Sequence, residues 1–351
     1  MEQPLPLSVG ENNAEAHISY RFDERSFLSL IKRDIAKKAR SLGFSAERIG
    51  NLDIIISELS SNLLKFGDRK REFLWRSVQQ QGQTGIEMIA IDKGPGIAHL
   101  YQALQDGYST SGTAGEGLGA IKRLANFFDV YSQPNRGTVV LCRCFAKKNG
   151  ISRHLTVGAI CVAKPGEQEC GDGYQIIYIP EKNIFQIVLL DGLGHGHEAF
   201  QATQSALQQY EKIVGRKPAF ILEQIHQTTQ KTRGAVGLVI SLDTRQQKVA
   251  YSGVGNISGK ITAWEKPTSL VSSNGTLGLN ASRIQEREVS WQRGQLLIMH
   301  SDGILSRSDI TQYPQIEKHD PTVLAACLYR DFSRNNDDAT VIVSKYPKLN
   351  E

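Results

Sequence analysis

The start of the chain alternates between a strand-like and a helix-like pattern of apolar residues. Residues 16–23 (AHISYRFD) alternate in polarity as a strand does, and Asp23 then suits the N-cap of a helix that Gly43 ends. The apolar positions at helical spacing between them are Phe27, Leu30, Ile31, Ile35 and Leu42. This pattern predicts one edge strand followed by one amphipathic helix.

A second helix and a set of strands follow. Ser45 opens this helix, whose apolar stripe (Ile49, Leu52, Ile56, Leu59, Leu63) runs to a probable C-cap at Gly67. The runs FLWRSVQ, GIEMIAI, FFDVYS and GTVVLCRCF are typical of strands, and residues 120–126 are helical in pattern. We expect a sandwich with helices on one face of a sheet.

The polar residues from Lys147 to Gly150 interrupt the pattern and predict a linker short enough for two domains to touch. Beyond it, strand-like runs include HLTVGAICVA, YQIIYI, IFQIVLL, AVGLVISLD, KVAYSG and GQLLIMH, with helical segments near 198–214, 218–231 and 321–332. The predicted fold class is α+β, with domains at 1–146 and 154–351 joined by residues 147–153.

Length and composition fit this division. A chain of 351 residues exceeds what one hydrophobic core usually holds. Lys and Arg (41) exceed Asp and Glu (36) only slightly, which argues against a nucleic-acid partner. Five cysteines without regular spacing indicate a reducing compartment, and Cys142 and Cys144 fit core packing on one strand face. Without a signal-like start or an apolar run of membrane length, a cytoplasmic protein with no membrane partner is expected.

Two polar side chains of the second helix could line a ligand pocket. Glu58 and Asn62 are four residues apart and share one face, opposite the apolar stripe. A carboxylate beside a carboxamide suits Mg²⁺ and its phosphates, and the glutamate could act as a general base. A solvated polar face is the alternative that this run alone favours.

Two glycine-rich segments favour a ligand pocket over a solvated polar face. A strand ends at Asp92, whose carboxylate could receive an adenine amino group, and enters the constrained loop 93–97 (KGPGI). Residues 115–119 (GEGLG) then lead into the next helix and offer backbone N–H groups to phosphates. The spacing of these glycines is weak evidence alone.

Together the three segments resemble the ATP-binding fold shared by gyrase, Hsp90, histidine kinases and anti-sigma factors, the GHKL type. IISELSSNLLKFG, DKGPGI and DGYSTSGTAGEGLGAIKRLANFFDVYS resemble the RsbT-like stressosome switch kinases, over roughly residues 16–145. The resemblance implies that Glu58 polarises the attacking serine hydroxyl and that Asn62 holds Mg²⁺. It further implies that ATP is bound at Asn62, Asp92, Gly94, Gly96, Gly115, Gly117, Leu118, Gly119 and Thr138.

The same resemblance implies a small STAS-domain antagonist, RsbS-like or RsbR-like, as the phosphoryl acceptor. A histidine-kinase interpretation fits worse, because His17 lies in a predicted strand, where we expect it to be structural. Residues 106–112 (DGYSTSG) are small and flexible enough to close over a nucleotide as a lid, with an ordinary surface loop as the alternative.

In the second half, aspartates recur where strands meet turns. They are Asp172 in CGDGY, Asp191 in LLDGLGHG, Asp302 in HSDGI and Asp337 in NDDAT. Aspartates at strand ends can converge on one sheet edge, where their repulsion calls for cations, and two metal ions there suit phosphate-ester hydrolysis. Each one alone is better explained as a turn residue.

As a set, these motifs resemble the SpoIIE-type metal-dependent serine/threonine phosphatases over about residues 153–346, which implies an αββα sandwich. The resemblance implies that Asp191 and the Gly192 carbonyl bridge two Mn²⁺ or Mg²⁺ ions, with Asp172, Asp302 and Asp337 completing the ligands. It favours Asp337 over Asp338. His195 matches a family histidine near the metals, and a turn-stabilising imidazole is an equal alternative.

The middle of this domain departs from the family. A Gly-His-x-Pro segment is replaced by YSGVGN, preceded by TRGAVG, and both are closer to the RsbX-like phosphatases. Arg233 in the second segment could contact a substrate phosphate, although a surface ion pair is the stronger alternative.

The resemblances together imply a bifunctional regulator of bacterial partner switching. An ATP-dependent kinase would phosphorylate serine or threonine of a STAS-domain partner, and a phosphatase would remove that phosphate. The alternative is an ATP-binding sensor or anti-sigma module that controls a single phosphatase, with a downstream phosphatase or sigma-factor regulator as partner.

Overall fold

The computed structural model describes residues 15–21, 27–68, 70–80, 82–104, 117–147, 156–262, 267–281, 283–307 and 309–345. The predicted N-cap Asp23 and the linker residues from 148 onward lie outside these ranges. So do the predicted lid, residues 106–112, and Gly115 of the predicted phosphate loop.

The first half forms an antiparallel sheet covered by helices on one face. Its elements are β1 (Ile18–Arg21), α1 (Phe27–Ser41), α2 (Ala46–Phe66), β2 (Glu72–Gln80), β3 (Gln83–Ile91), α3 (Leu100–Ala103), α4 (Gly117–Leu124), β4 (Phe127–Gln133) and β5 (Gly137–Phe145). The strand order is β1-β2-β3-β5-β4. Every strand and the three main helices were predicted near these positions, and the predicted helix at 120–126 begins three residues earlier.

Local chemistry sets the limits of α2. The Ser45 hydroxyl accepts a hydrogen bond from the Arg48 backbone N–H at 3.3 Å, which is an N-cap. Gly43 separates α1 from α2 in a left-handed conformation (φ 80°), which glycine adopts without strain. The buried side of α2 packs on the sheet in a core that also holds Cys142 and Cys144, so both cysteines are core residues as predicted.

The second half is a pair of stacked antiparallel sheets. Its elements are β6 (Thr156–Val162), β7 (Asp172–Ile179), β8 (Ile184–Gly192), α5 (His197–Glu211), α6 (Pro218–Thr228), β9 (Ala235–Asp243), β10 (Lys248–Val254), β11 (Ser258–Thr262), β12 (Thr268–Leu270), β13 (Arg287–Ser290), β14 (Leu296–His300), α7 (Pro321–Phe332) and β15 (Ala339–Lys345). The orders are β13-β10-β9-β8-β7 and β12-β11-β14-β15-β6. The sequence patterns did not identify the short strands β11 to β13, and they indicated β15 only through the strand-like run beside Asp337.

The single helix α7 connects the two halves. One apolar core joins α7 to the second half's β6, β14 and β15, and to the face of the first sheet that α1 and α2 leave uncovered. Leu74, Ile89 and Leu141 contribute to this core from the first sheet, and Val323 and Leu324 from α7. The layers therefore run helices, sheet, α7, sheet, sheet, helices. The two halves do more than touch across a linker, because they bury a common hydrophobic core.

A buried charge cluster lies at the same junction. Both carboxylate oxygens of Glu87 on β3 accept hydrogen bonds, one from Arg76 Nε at 2.8 Å and one from Arg143 Nε at 2.6 Å. Burial alone would raise the pKa of Glu87, but the two guanidiniums hold it well below its usual range. Arg76 also donates to the Tyr174 hydroxyl of β7, and the His17 ring contacts Glu87 and the Cys161 backbone. His17 is therefore structural, as predicted.

The first half also holds α7 at both ends. Arg143 forms a two-point ion pair with Asp320, the N-cap of α7, at 2.9 and 3.1 Å. At the other end, Lys70 Nζ donates to the carbonyls of Tyr329 and Arg330 at 3.2 Å and to the Ser333 hydroxyl at 2.7 Å. A cation at a helix C-terminus satisfies carbonyls that the helix leaves open.

The burial of His17 predicts a pH-dependent stability. Burial and then the charge of Arg76 lower the pKa of His17 to about 4, although Glu87 acts in the opposite direction. An unfolded histidine titrates near 6.5, so between these values the unfolded chain binds a proton that the folded chain does not. Stability is then lost as pH falls from 6.5 towards 4, by up to about 3 kcal/mol.

Urea unfolding at pH 7, 6 and 5 measures this loss. The His17→Gln variant should show a weaker pH dependence than the wild type, whereas His99→Gln, at an exposed histidine, should keep it. If the free energy of unfolding changed equally with pH in the wild type and in His17→Gln, another group would cause the pH dependence.

No helix within the described residues combines the length and the apolar character that crossing a membrane requires.

Candidate functional sites

The predicted aspartates of the second half converge at one end of the stacked sheets. Asp172 begins β7 and lies directly opposite Asp191 on β8 in the strand register. Asp302 follows β14, and Asp337 with Asp338 precedes β15, the neighbour of β14. Asp172, Asp191, Asp302, Asp337 and Asp338 are called the aspartate cluster below. The aspartates therefore converge as expected, but from two stacked sheets and not on the edge of one, and their role as a metal site stays a prediction.

The cluster is electrostatically strained. Burial first, and then Asp338 and Asp302, raise the pKa of Asp172 to about 7, against hydrogen bonds that lower it. Burial and the other four carboxylates raise the pKa of Asp191 well above its ordinary value. Like charges this close favour protonation unless a cation neutralises them.

Two oxygens of the cluster lack protein partners. The buried Asp172 Oδ1 and Asp338 Oδ2 accept no hydrogen bond, although an unpaired buried polar atom is costly. Hard divalent cations take such carboxylate oxygens. Within the ranges that the structure describes, however, no three His, Cys, Asp or Glu groups are already arranged to hold a metal ion. The donor chemistry fits Mg²⁺ or Mn²⁺, and ligation would require the carboxylates to rearrange.

These carboxylates are oriented by hydrogen-bond donors that the sequence analysis did not identify. Ser301 Oγ donates to Asp172 Oδ2 at 2.7 Å, and Asn256 Nδ2 donates to Asp302 Oδ2 at 2.8 Å. The Lys164 backbone N–H donates to Asp338 Oδ1 at 2.8 Å. These partners come from distant parts of the chain, so no local pattern marks them. Asn256 lies in YSGVGN, the segment that departs from the family pattern, and that departure could have drawn attention to this residue.

Asp338 is more deeply placed than the sequence suggested. Its residue is 3% exposed, whereas Asp337 is partly exposed. A side chain on Gly171 would contact the unpaired Asp338 Oδ2, so the glycine leaves room beside that oxygen. The preference for Asp337 over Asp338 as a ligand stays a prediction, and the geometry gives Asp338 an equal position in the cluster.

Gly192 ends β8 beside the cluster and lets α5 approach. A Cβ at Gly192 would collide with the Ala199 backbone, and the Gly192 N–H donates to the Gly171 carbonyl at 3.2 Å. Its predicted part as a carbonyl ligand stays a prediction.

Histidine–glutamate pairs line the rim above the cluster. His195 Nδ1 lies 2.8 Å from Glu167 Oε1, and His197 Nδ1 lies 2.6 Å from Glu169 Oε2. His195 thus holds the turn against the loop after β6, which matches the turn-stabilising alternative. Arg233 forms an ion pair with Glu198, as the stronger alternative for this residue predicted.

The predicted residues of the first half also come together. Glu58 and Asn62 lie on α2 and face the first residue of α4. A Cβ placed on Gly117 would be 3.5 Å from Glu58 Oε2 and 3.8 Å from Asn62 Oδ1. Leu118 and Gly119 continue α4 from there. A carboxylate, a carboxamide and a helix N-terminus therefore share one small region, as predicted.

The loop after β3 is built around Asp92. Its Oδ1 accepts from the Gly94 N–H at 2.7 Å, and its own N–H donates to the Thr138 carbonyl at 3.0 Å. Burial raises the pKa of Asp92, and hydrogen bonds from the Gly94 and Thr138 backbones to its carboxylate act in the opposite direction. The Thr138 hydroxyl contacts Ser132 Oγ at 2.9 Å, and Ser132 Oγ accepts from the Ile97 N–H at 2.8 Å.

Two glycines of this loop have a structural requirement that the sequence did not show. A Cβ on Gly94 would collide with the Phe66 carbonyl, and one on Gly96, which has φ 73°, with the Gln133 carbonyl. These glycines are needed by backbone packing before any ligand is considered.

Comparison with known proteins separates the two halves. The chain is 35% identical over 102 residues to the serine/threonine-protein kinase RsbT of Bacillus subtilis (strain 168), a match covering 29% of this chain and 76% of RsbT. The chain belongs to the RsbT family. The RsbT match leaves most of the chain uncovered, and the family model of Stage II sporulation protein E (SpoIIE) matches residues 182–347. That stretch holds α5 to α7 and four of the five cluster aspartates.

A second relative is a phosphoserine phosphatase. The chain is 23% identical over 160 residues to the phosphoserine phosphatase RsbX of B. subtilis (strain 168), covering 44% of this chain and 76% of RsbX. A solved chain described under "The bacterial stressosome: a modular system that has been adapted to control secondary messenger signaling" superposes with a TM-score of 0.50 at 28% identity. It covers 55% of this chain and 100% of its own length. The chain thus combines RsbT-like and RsbX-like parts.

Proposed function

We propose that the second half is a metal-dependent protein serine/threonine phosphatase in a partner-switching pathway. The observation that carries this proposal is the aspartate cluster, with five carboxylates at one sheet end and two of their buried oxygens unpaired. The match to SpoIIE and the likeness to the phosphoserine phosphatase RsbX support the same reaction. RsbX-like specificity points to phosphoserine or phosphothreonine on STAS-domain proteins as substrates.

Asp172, Asp191, Asp302 and Asp337 with the Gly192 carbonyl would hold two Mn²⁺ or Mg²⁺ ions, and Asp338 is available beside them. When bound, such ions supply a hydroxide-like nucleophile and charge neutralisation for phosphate-ester hydrolysis. The protein's part is to hold the carboxylates in place. Ser301 and Asn256 do this by hydrogen bonds to Asp172 and Asp302.

The rim supplies a substrate contact. Arg233 stands beside the turn that follows Asp191, because its Nη1 would lie 2.9 Å from a Cβ on Gly194. Its present partner Glu198 is exposed, so exchange of that carboxylate for a substrate phosphate costs little. Arg233 would then orient the phosphoserine over the cluster by a charge-assisted hydrogen bond.

The first half is proposed as a protein serine kinase that uses ATP. The convergence of Glu58, Asn62 and the N-terminus of α4 favours this, together with the family membership that the RsbT match establishes. Asn62 would hold Mg²⁺, the N-terminus of α4 would receive phosphates, and Asp92 would bind adenine. Glu58 would accept the proton of the attacking serine hydroxyl, so that catalysis consists mostly of positioning and charge neutralisation.

Glu58→Ala tests the kinase. Loss of the proton acceptor should reduce phosphorylation of an RsbS-like STAS-domain protein by at least about 100-fold. Phosphate transfer from radiolabelled ATP to the purified STAS protein measures this, and Glu47→Ala, at an exposed glutamate of the same helix, should retain the rate. Transfer by Glu58→Ala at the wild-type rate would show that another group serves as the base.

A nucleotide sensor is the second candidate for the first half. The observation that favours it is α7, which packs on the first sheet and leads directly to Asp337. A sensor would change the phosphatase rate when ATP is added and transfer no phosphate to a STAS protein. The same assay therefore decides between kinase and sensor.

A further inference from the structure

A basic cavity lies at the junction of the two halves and adjoins the loop after β3 through Lys93. Its volume is about 680 Å³, within the range of small-molecule sites. The lining residues from the first half are Arg21, Asp68, Lys70, Arg71 and Lys93, and those from the second are Arg330, Asp331, Ser333 and Asn335. Any occupant would therefore contact both halves at once.

The charges of the cavity favour an anion. Five of its nine lining residues are cationic and two are acidic. One of the acids, Asp331, is already shared, because it pairs with Arg330 at 2.9 Å and with Lys93 at 3.4 Å. The remaining positive charge has no equal counterpart in the lining, which makes binding of a multiply charged anion favourable.

A buried hydrogen-bond donor without a partner also favours an anion in the cavity. Nε of Arg71 is buried without a hydrogen-bond partner, while the Arg71 residue as a whole is partly exposed. A buried guanidinium nitrogen without an acceptor is costly. Guanidiniums match the geometry of phosphate oxygens and bind them in pairs of hydrogen bonds.

The surroundings of Lys70 also favour an anion in the cavity. Burial lowers the pKa of Lys70 to about 8, with Lys93 and Arg21 acting in the same direction and Glu72 opposing them. Its ammonium is held against the end of α7 by the Tyr329 and Arg330 carbonyls. A phosphate in the cavity would neutralise this crowding of cations.

We propose that this junction cavity binds a small phosphorylated molecule, with Arg21 and Arg71 contacting its phosphate oxygens and Ser333 and Asn335 its neutral polar groups. The site joins the loop between α2 and β2 to the segment that leads from α7 to Asp337. It adjoins the proposed nucleotide site where Lys93 lies between Asp92 and Gly94, whereas Arg21 and Arg71 lie outside that loop.

Calorimetric titration of the full chain with inorganic pyrophosphate, in EDTA and without nucleotide, tests the proposal. EDTA leaves the aspartate cluster without cations, and that cluster then repels the anion. The wild type should bind one pyrophosphate per chain, and Arg71→Gln should weaken Kd at least tenfold. Arg245→Gln, at an exposed arginine of the turn after β9, should leave Kd unchanged.

Arg21→Gln is the second variant if Arg71→Gln unfolds, since Arg21 is an exposed residue at the end of β1. It too should weaken binding, by several-fold. Unchanged Kd in both variants, no binding by the wild type, or pyrophosphate binding no tighter than sulfate would overturn the proposal. Binding that saturating ADP abolishes and that both variants retain would place the anion in the nucleotide site and also overturn it.

Discussion

Asp191→Asn should lower the metal-dependent hydrolysis of para-nitrophenyl phosphate at least about 100-fold, while making the metal-free protein more resistant to heat. The hydrolysis is lost because Asp191 is one of the carboxylates that would hold the ions. The stability rises because burial and four neighbouring carboxylates disfavour the charged Asp191, and asparagine removes that charge. Replacing an ordinary surface carboxylate would change neither the hydrolysis rate nor the resistance to heat.

The two readouts separate a metal site from a merely structural aspartate. Glu181→Gln, at an exposed turn between β7 and β8, should match the wild type in both assays. Adding Mn²⁺ should raise the unfolding temperature of the wild type and should have little effect on Asp191→Asn. Full hydrolysis by Asp191→Asn would contradict the assignment of the cluster as the phosphatase centre.

Glu87→Ala should destabilise the whole chain by about 3–5 kcal/mol, the cost of leaving buried charges without their partner. Glu87 is completely buried and holds the guanidiniums of Arg76 and Arg143. Through these arginines it also connects to Tyr174 and Asp320 of the second half. Urea unfolding followed by circular dichroism measures the loss.

Glu223→Ala, at an exposed glutamate of α6, is the matched control and should cost less than about 0.5 kcal/mol. Because α7 shares its core with both halves, the wild type should unfold in one transition. A loss below 1 kcal/mol for Glu87→Ala would mean that the cluster contributes little to the junction.

Element positions were largely predictable, whereas the association of the halves was not. The N-cap Ser45 and the stripe of α2 are local signals, and α7 has the bounds that its pattern predicted, 321–332. Periodicity shows that a helix has an apolar side, but not which sheet covers it. In α7 nearly every residue is buried, because two sheets enclose it, and that requires contacts far apart in sequence.

The candidate sites were predictable to the extent that their chemistry is local. Aspartates at strand ends mark the cluster, and the four-residue spacing of Glu58 and Asn62 marks the helix face. Ser301 and Asn256 escaped notice because a serine or an asparagine in a turn has no distinctive pattern. Gly94 and Gly96 were assigned to a ligand, and only the packing against Phe66 and Gln133 reveals their backbone role.

The opposed activities of one chain are tested most directly by following radiolabelled phosphate on one RsbS-like STAS-domain protein. With ATP and Mn²⁺, Asp191→Asn should accumulate phosphorylated STAS protein, because the kinase acts without the phosphatase. Glu58→Ala should form no phosphoprotein, and it should release phosphate from STAS protein that was phosphorylated beforehand. Absence of phosphoprotein with Asp191→Asn, together with no release by Glu58→Ala, would contradict the account.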